Sequence, residues 1–184
     1  MLRDNSEEKL KNAIIYFVKN TNHCNKTKLF KLLYYFDFLH CQEIGRPVTG
    51  LKYNAWPKGP VPVSLNNEIE VASDLFNGSI KIEFDEFKPG MKRVDFIVND
   101  KFNEVVYSRR ELRILKKVAE VFTDTTSEKM IDVTHFENHP WDIVYNKMGN
   151  RQGEIPFELA FKDSEKDKME EIYNEEIEIW SNYK

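Results

Sequence analysis

The chain has 184 residues, a hydrophobic content of 41% and an aromatic content of 13%, which is typical of a globular protein with a packed core rather than a disordered chain. Its formal net charge of −4 does not predict a nucleic-acid-binding surface. No apolar run reaches the roughly 18 residues that a membrane-spanning helix needs, and residues 1–12 lack the apolar core of a signal peptide, so we expect a cytoplasmic protein without membrane contact.

The first two predicted elements are helices joined by a short turn. Residues 6–19 carry apolar side chains at helical spacing, which predicts an amphipathic helix. Residues 25–44 are apolar around nearly the whole helical circumference, so we expect this helix at the centre of the fold. Lys28 and Lys31 lie on one edge of it, which we expect to reach water. Gly45 is predicted to end the helix.

Asp37 lies on an otherwise apolar side of the central helix, among Phe30, Leu33 and Tyr34. A buried carboxylate costs several kcal/mol unless it is paired or hydrogen-bonded. We therefore expect Asp37 to have a fixed partner and to hold a loop in place. The alternative is a functional carboxylate.

Glycines and prolines concentrate in residues 45–63. Apolar and polar residues alternate over 51–56, which predicts a strand, and the pair Gly59-Pro60 predicts a turn. Prolines suit the first turn of a helix, and we expect the helix that follows to run to about Phe76.

Alternation recurs in residues 79–84 and 93–99, with Lys-Pro-Gly at 88–90 between them. Two alternating stretches on either side of such a turn predict a hairpin. Together with the strand at 51–56, they predict a small antiparallel sheet of about three strands.

Helices are predicted again after the hairpin. Residues 111–122 carry an apolar face, Thr125-x-x-Glu128 is a capping box for a helix ending near residue 134, and Pro140 begins a further turn. The mixture of helical and alternating periods predicts one α+β domain over 1–184, mainly helical and built around the central helix.

A last helix is predicted from residue 163 to residue 184, packed on this domain. Between residues 163 and 178 it carries eight acids and two lysines. We expect its acidic side to be solvated; the alternative is a docking surface for a basic partner.

Two His-Cys pairs, at residues 23–24 and 40–41, raise the question of a zinc site. They stand at opposite ends of the central helix, roughly 25 Å apart at about 1.5 Å per residue. Zinc–sulfur bonds are about 2.3 Å long, and disulfide-linked Cα atoms lie within about 7 Å. We therefore expect reduced, structural thiols, and no metal and no cofactor.

Catalytic motifs are missing from the sequence: we find no phosphate-binding glycine loop, no zinc-protease motif and no nucleophile elbow. His135, Glu137 and His139 suggest an acid–base cluster or a metal site, but Pro140 places a helix end there and favours structural histidines. We expect a protein that is not an enzyme. The alternative is a hydrolase or transferase that uses His135 and nearby acids.

The segment 51–63 suggests recognition instead. Its prolines restrict the backbone, so its side chains lose little entropy on binding, and aromatic side chains are frequent interface anchors. The alternative is a loop that closes the core, with Trp56 packed inward. The candidate binding residues are Tyr53, Trp56, Lys58, Gly59, Pro60 and Val61.

Three blocks together resemble the Panacea domain family, the SocA-like antitoxin domain. They are Lys28-Leu-Phe-Lys-Leu-Leu-Tyr-Tyr35, Ala55-Trp-x-x-Gly-Pro-Val61 and Val133-Thr-His-Phe-Glu-x-x-Pro-Trp141, the last with one extra residue before Pro-Trp. The resemblance covers residues 8–145. Its structural motif residues are Leu29, Leu33, Tyr34, Asp37, His135 and Trp141.

This resemblance implies an antitoxin that is encoded beside a toxin and neutralises it by direct binding. In at least one member of the family, the domain is an adaptor that delivers its toxin to an AAA+ protease, which is the alternative mechanism here. Some relatives carry a separate DNA-binding domain; we expect none in this chain, and no direct binding to nucleic acid.

Overall fold

A computed structural model describes residues 5–88, 91–135 and 139–161. Within this part the fold is α+β and mainly helical, with two small antiparallel sheets, and the predicted fold class is confirmed. No helix there is long and apolar enough to cross a membrane. The predicted acidic helix at 163–184 lies outside the described residues.

Helices α1 (Ser6–Asn20) and α2 (Lys26–Ile44) form as predicted. The side chain of Asn25 caps α2 by accepting the Lys28 N–H, and Gly45 ends it with a φ of 77°, a left-handed conformation that costs glycine little. Helix α2 is central because α1, α4 (Arg109–Val121), α5 (Ser127–Thr134) and both sheets pack around it. The core side chains of α2 include Leu29, Phe30, Leu32, Leu33, Tyr34 and Phe36.

The edge of α2 that we expected to reach water is buried. Lys28 is 0% exposed and Lys31 is 1% exposed. The Lys28 ammonium donates to the backbone carbonyls of Asn22, at 2.7 Å, and Thr123, at 3.0 Å. Backbone oxygens from other elements thus take the place of water, while the apolar stems of the lysines pack in the core.

The prediction that residues 51–56 form one sheet with the later hairpin is wrong. Strand β1 (Asn54–Trp56) pairs with β2 (Gly59–Val61) in a separate hairpin, with Ala55 opposite Pro60. Residues 57–58 form its turn, so Gly59-Pro60 belongs to a strand and not to the turn. The larger sheet has the order β3 (Asp74–Leu75), β4 (Ile80–Lys88), β5 (Met91–Val98).

Helix α3 (Val63–Val71) is shorter than predicted, because β3 follows it at once. The side chain of Asp74 accepts the Gly78 N–H at 2.8 Å, and Phe76 and Asn77 both have a φ of 54°. This tight turn reverses the chain into β4, so the helix cannot continue to Phe76.

The later helices lie near their predicted positions. The capping box of α4 joins Ser108 and Glu111. Helix α5 is capped by Thr126 and not by Thr125. Helix α6 (Pro140–Asp142) continues into a π-helical turn over residues 143–147, and the described chain closes with a 3₁₀ turn over residues 157–160.

Candidate functional site

The three sequence blocks meet at one place beside the N-terminal half of α2. The Lys31 Nζ donates to the carbonyl oxygen of Pro60 at 2.8 Å, and α5 packs against both α2 and β2. Thr134 and His135, at the end of α5, complete this contact. We call Lys31, Gly59, Pro60, Thr134 and His135 the lysine site.

Gly59 makes the close approach at the lysine site possible. Its φ is +99°, and an added Cβ would lie 2.8 Å from both the Lys31 Cε and the Thr134 Oγ1. Carbon atoms do not approach other heavy atoms so closely without displacement, and a φ of this kind strains residues other than glycine. The glycine of the second block is therefore required by packing and by backbone conformation.

Burial changes the electrostatics of the lysine site. Desolvation of the Lys31 ammonium lowers its pKa to about 7, because the charged form loses water. Near neutral pH this lysine is therefore poised between its charged and neutral forms. The pKa of His135 is also lowered, first by burial and then by the charge of Lys31.

Aromatic rings stack outward from the lysine site. The rings of His135 and Trp141 lie 3.7 Å apart at 11°, and those of Trp141 and Tyr145 lie 4.6 Å apart at 14°. The Arg151 guanidinium lies 5.5 Å from the Tyr145 ring centroid. The Trp141 Nε1–H donates to the Trp56 carbonyl at 2.9 Å, so the β1–β2 turn is attached to this stack.

The sequence offered His135 as a candidate for acid–base chemistry. Its Nε2 is enclosed and has no hydrogen-bond partner among the described residues, and no hydrogen bond between described residues joins it to a nucleophile. Glu137, which we considered as its acid, lies outside the described residues. Within the same residues, no three His, Cys, Asp or Glu side chains are close enough to hold a metal ion.

Asp37 forms a second polar cluster inside the fold. It is 0% exposed, and its carboxylate accepts hydrogen bonds from the Val48 N–H at 2.8 Å, the Thr49 N–H at 2.9 Å and the Tyr53 hydroxyl at 2.7 Å. The Thr49 hydroxyl adds a fourth bond. Burial raises the pKa of Asp37, and these bonds oppose the rise. The cluster fastens the segment after α2 to the helix.

The candidate binding residues do not all reach the surface. Tyr53, Gly59, Pro60 and Val61 are buried, so they offer little surface to a partner, and their role in toxin binding stays a prediction. Tyr53 is held by Asp37, and the other three pack on α2 and α5 as strand β2. Trp56 is half-buried and Lys58 is exposed. The accessible part of the segment is therefore the turn over residues 56–58.

Sequence reasoning missed three residues of this region: Lys31 at the buried end of the stack, and Tyr145 and Arg151 at its outer end. Trp141 and Tyr145 are four residues apart, a spacing that places side chains on one helical face, so their contact had a sequence signal. The contact of Arg151 with Tyr145 had none, because residues 148–153 are a loop.

Comparison with known proteins identifies a family. A family model described as "Antitoxin SocA-like, Panacea domain" matches residues 29–142, more than half of the chain. These residues include Lys31, the β1–β2 hairpin and the His135–Trp141 stack. No curated protein and no solved structure matches the chain.

Proposed function

Because the chain belongs to the SocA-like Panacea antitoxin domain family, we propose that it is an antitoxin that neutralises a cognate toxin by direct binding. The main support for the proposal is a continuous set of contacts among the matched residues. It runs from the buried Lys31 side chain to the accessible turn over residues 56–58. The described part contains packing and stacking contacts at this place and no nucleophile hydrogen-bonded to His135.

The proposed toxin-binding surface is the β1–β2 turn together with the outer end of the stack. We define it by Trp56, Pro57, Lys58, Tyr145 and Arg151. Strand β1 contacts the π-helical turn that carries Tyr145, and the Ala55 carbonyl accepts the Gln152 N–H, so β1 and the outer end of the stack lie close together. Pro57, Lys58 and Arg151 are exposed, and Trp56 and Tyr145 are half-buried. Tryptophan, tyrosine and arginine are enriched among the residues that dominate binding energy.

The rigid backbone of the β1–β2 turn favours this surface as a binding site. The turn is held by β1–β2 pairing, by the bond from Trp141 to the Trp56 carbonyl and by Pro57. Little conformational entropy is therefore lost when a partner binds. Buried Tyr53, Gly59, Pro60 and Val61 serve as the support of this surface and not as contacts.

The test is binding to the toxin encoded beside this chain. We expect Trp56→Ala to weaken affinity by about 2 kcal/mol or more, mainly through faster dissociation, as measured by calorimetry and surface plasmon resonance. The substitution keeps the backbone carbonyl that accepts from Trp141, so the fold should persist. Val71→Ala is the matched control, because Val71 is an exposed apolar residue on α3.

Truncation before Asp163 should leave affinity nearly unchanged if the turn is the main contact. Loss of neutralisation on truncation, with the Trp56→Ala variant fully active, would refute the proposed surface. His135→Ala distinguishes the enzymatic alternative: loss of neutralisation with an intact fold and an intact toxin complex would favour catalysis.

Inhibition and delivery to an AAA+ protease differ in the fate of the toxin. Simple inhibition predicts that the toxin accumulates as a complex in cells that express this chain. An adaptor predicts a shorter toxin half-life, which lengthens again when the protease is removed. Pulse-chase measurement of the toxin separates the two mechanisms.

A further inference from the structure

Helix α4 has a basic outer face. Its apolar side chains Ile114, Leu115 and Val118 are buried, and its five basic residues all lie on the opposite, exposed side. We propose that this face binds the acidic segment 163–178 of the same chain, so that the segment folds back along α4. The basic face consists of Arg109, Arg110, Arg113, Lys116 and Lys117.

The basic face retains charge that described residues do not neutralise. Glu43 is 3.5 Å from Arg110 and 2.5 Å from Arg113, so one carboxylate serves two guanidinium groups. Glu104 lies 3.7 Å from Lys116. Arg109 and Lys117 form no ion pair with any described residue. The face therefore attracts a partner with excess negative charge.

The last described residues lie against α2, close to the carboxylate that pairs with the basic face. The Gln42 side chain donates to the Ala160 carbonyl at 2.8 Å, so the last described residues lie against the C-terminal end of α2. The next residue of α2, Glu43, is the one that contacts Arg110 and Arg113. The described chain therefore ends next to the α2 residue whose carboxylate contacts the basic face.

The charge and the length of the acidic segment also match those of the basic face. The segment has eight acids and two lysines within a chain of net charge −4, so the remainder of the chain is net positive. A helix of 16 residues would span about 24 Å, and α4 itself about 20 Å, at about 1.5 Å per residue. One segment can therefore cover the basic face along its length. The inference does not depend on the proposed function. An acidic surface on a partner would compete with the segment for the basic face.

Zero-length carbodiimide cross-linking of the full chain tests this inference, because the reagent joins lysine amines to carboxylates in direct contact. We expect monomeric cross-linked products in which Lys116 or Lys117 is joined to acids of residues 163–178. Their yield should fall several-fold between about 0.05 M and 1 M salt, as screening shortens the reach of the charges.

A charge variant supplies the second measurement. Arg109→Gln with Arg113→Gln leaves both lysines reactive and should reduce these cross-links at least three-fold. Arg93→Gln with Arg151→Gln removes two exposed arginines elsewhere and should leave the yield unchanged. Exposed ion pairs contribute little to stability, so we expect both variants to fold.

Three outcomes would overturn the inference. The first is cross-links found only between molecules, which would indicate a second copy as the occupant. The second is acids of the segment joined equally to Lys52, Lys81 and Lys129, which are exposed on other elements. The third is a yield that does not respond to the Arg109→Gln and Arg113→Gln pair.

Discussion

Replacing Asp37 tests whether its cluster holds the segment after α2 in place. The Oδ1 atom accepts two backbone N–H groups, from Val48 and Thr49. The Oδ2 atom accepts two hydroxyl groups, from Thr49 and Tyr53. A hydroxyl can rotate and accept a bond instead, whereas a backbone N–H can only donate. The two oxygens therefore respond differently to substitution.

Asp37→Asn keeps an acceptor for the backbone groups, and its amide can donate to the hydroxyls, so we expect a loss of about 1 kcal/mol in the free energy of unfolding. Asp37→Ala leaves the buried N–H groups of Val48 and Thr49 without an acceptor. At about 1–3 kcal/mol for each buried unsatisfied group, we expect a loss of about 3 kcal/mol or more. For a chain of this size, that lowers the melting temperature by roughly 6–12 °C, at about 2–4 °C per kcal/mol.

The assay is urea and thermal unfolding followed by circular dichroism. Asp132→Ala, at an exposed carboxylate on α5, is the control and should stay within about 0.5 kcal/mol of the wild type. Burial raises the pKa of Asp37, so its contribution is greatest below the ordinary carboxyl pKa and declines as pH rises through the folded value. The difference between wild type and Asp37→Asn should therefore narrow with rising pH. An alanine variant as stable as the asparagine variant would refute the reasoning.

Further predictions concern the lysine site and α4. The pKa of Lys31 falls to about 7 in the fold, so above pH 7 the unfolded chain binds more protons than the folded chain. The free energy of unfolding should therefore rise between pH 7 and 10, by at most about 1.4 kcal/mol per pH unit. Lys31→Met should remove this pH dependence, as measured by urea unfolding. Gly59→Ala should destabilise the fold by about 2 kcal/mol or more, because its Cβ meets Lys31 and Thr134, and wild-type thermal stability would contradict this. Ser108→Ala removes the capping box of α4 and should cost about 1 kcal/mol in the same assay.

Local pattern was sufficient for most helices and for the larger hairpin. The positions of α1, α2 and α4 followed from apolar side chains at helical spacing, and the end of α2 followed from Gly45. These features depend on residues within a few positions of each other, so a window of sequence contains their cause. The burial of Asp37 could likewise be predicted from its apolar helical neighbours.

Only the tertiary structure showed which side chains of each element are buried and which are exposed. The location of the candidate site depends on this distinction. Lys31 looked exposed on its own helix, but its acceptor is the carbonyl of Pro60, which belongs to β2. Tyr53 looked like a surface anchor, but it reaches back to Asp37. Strand β1 pairs with β2 because residues 57–58 turn the chain there. Such contacts depend on which groups, distant in sequence, lie beside a side chain in the folded protein. Composition and periodicity do not contain this information.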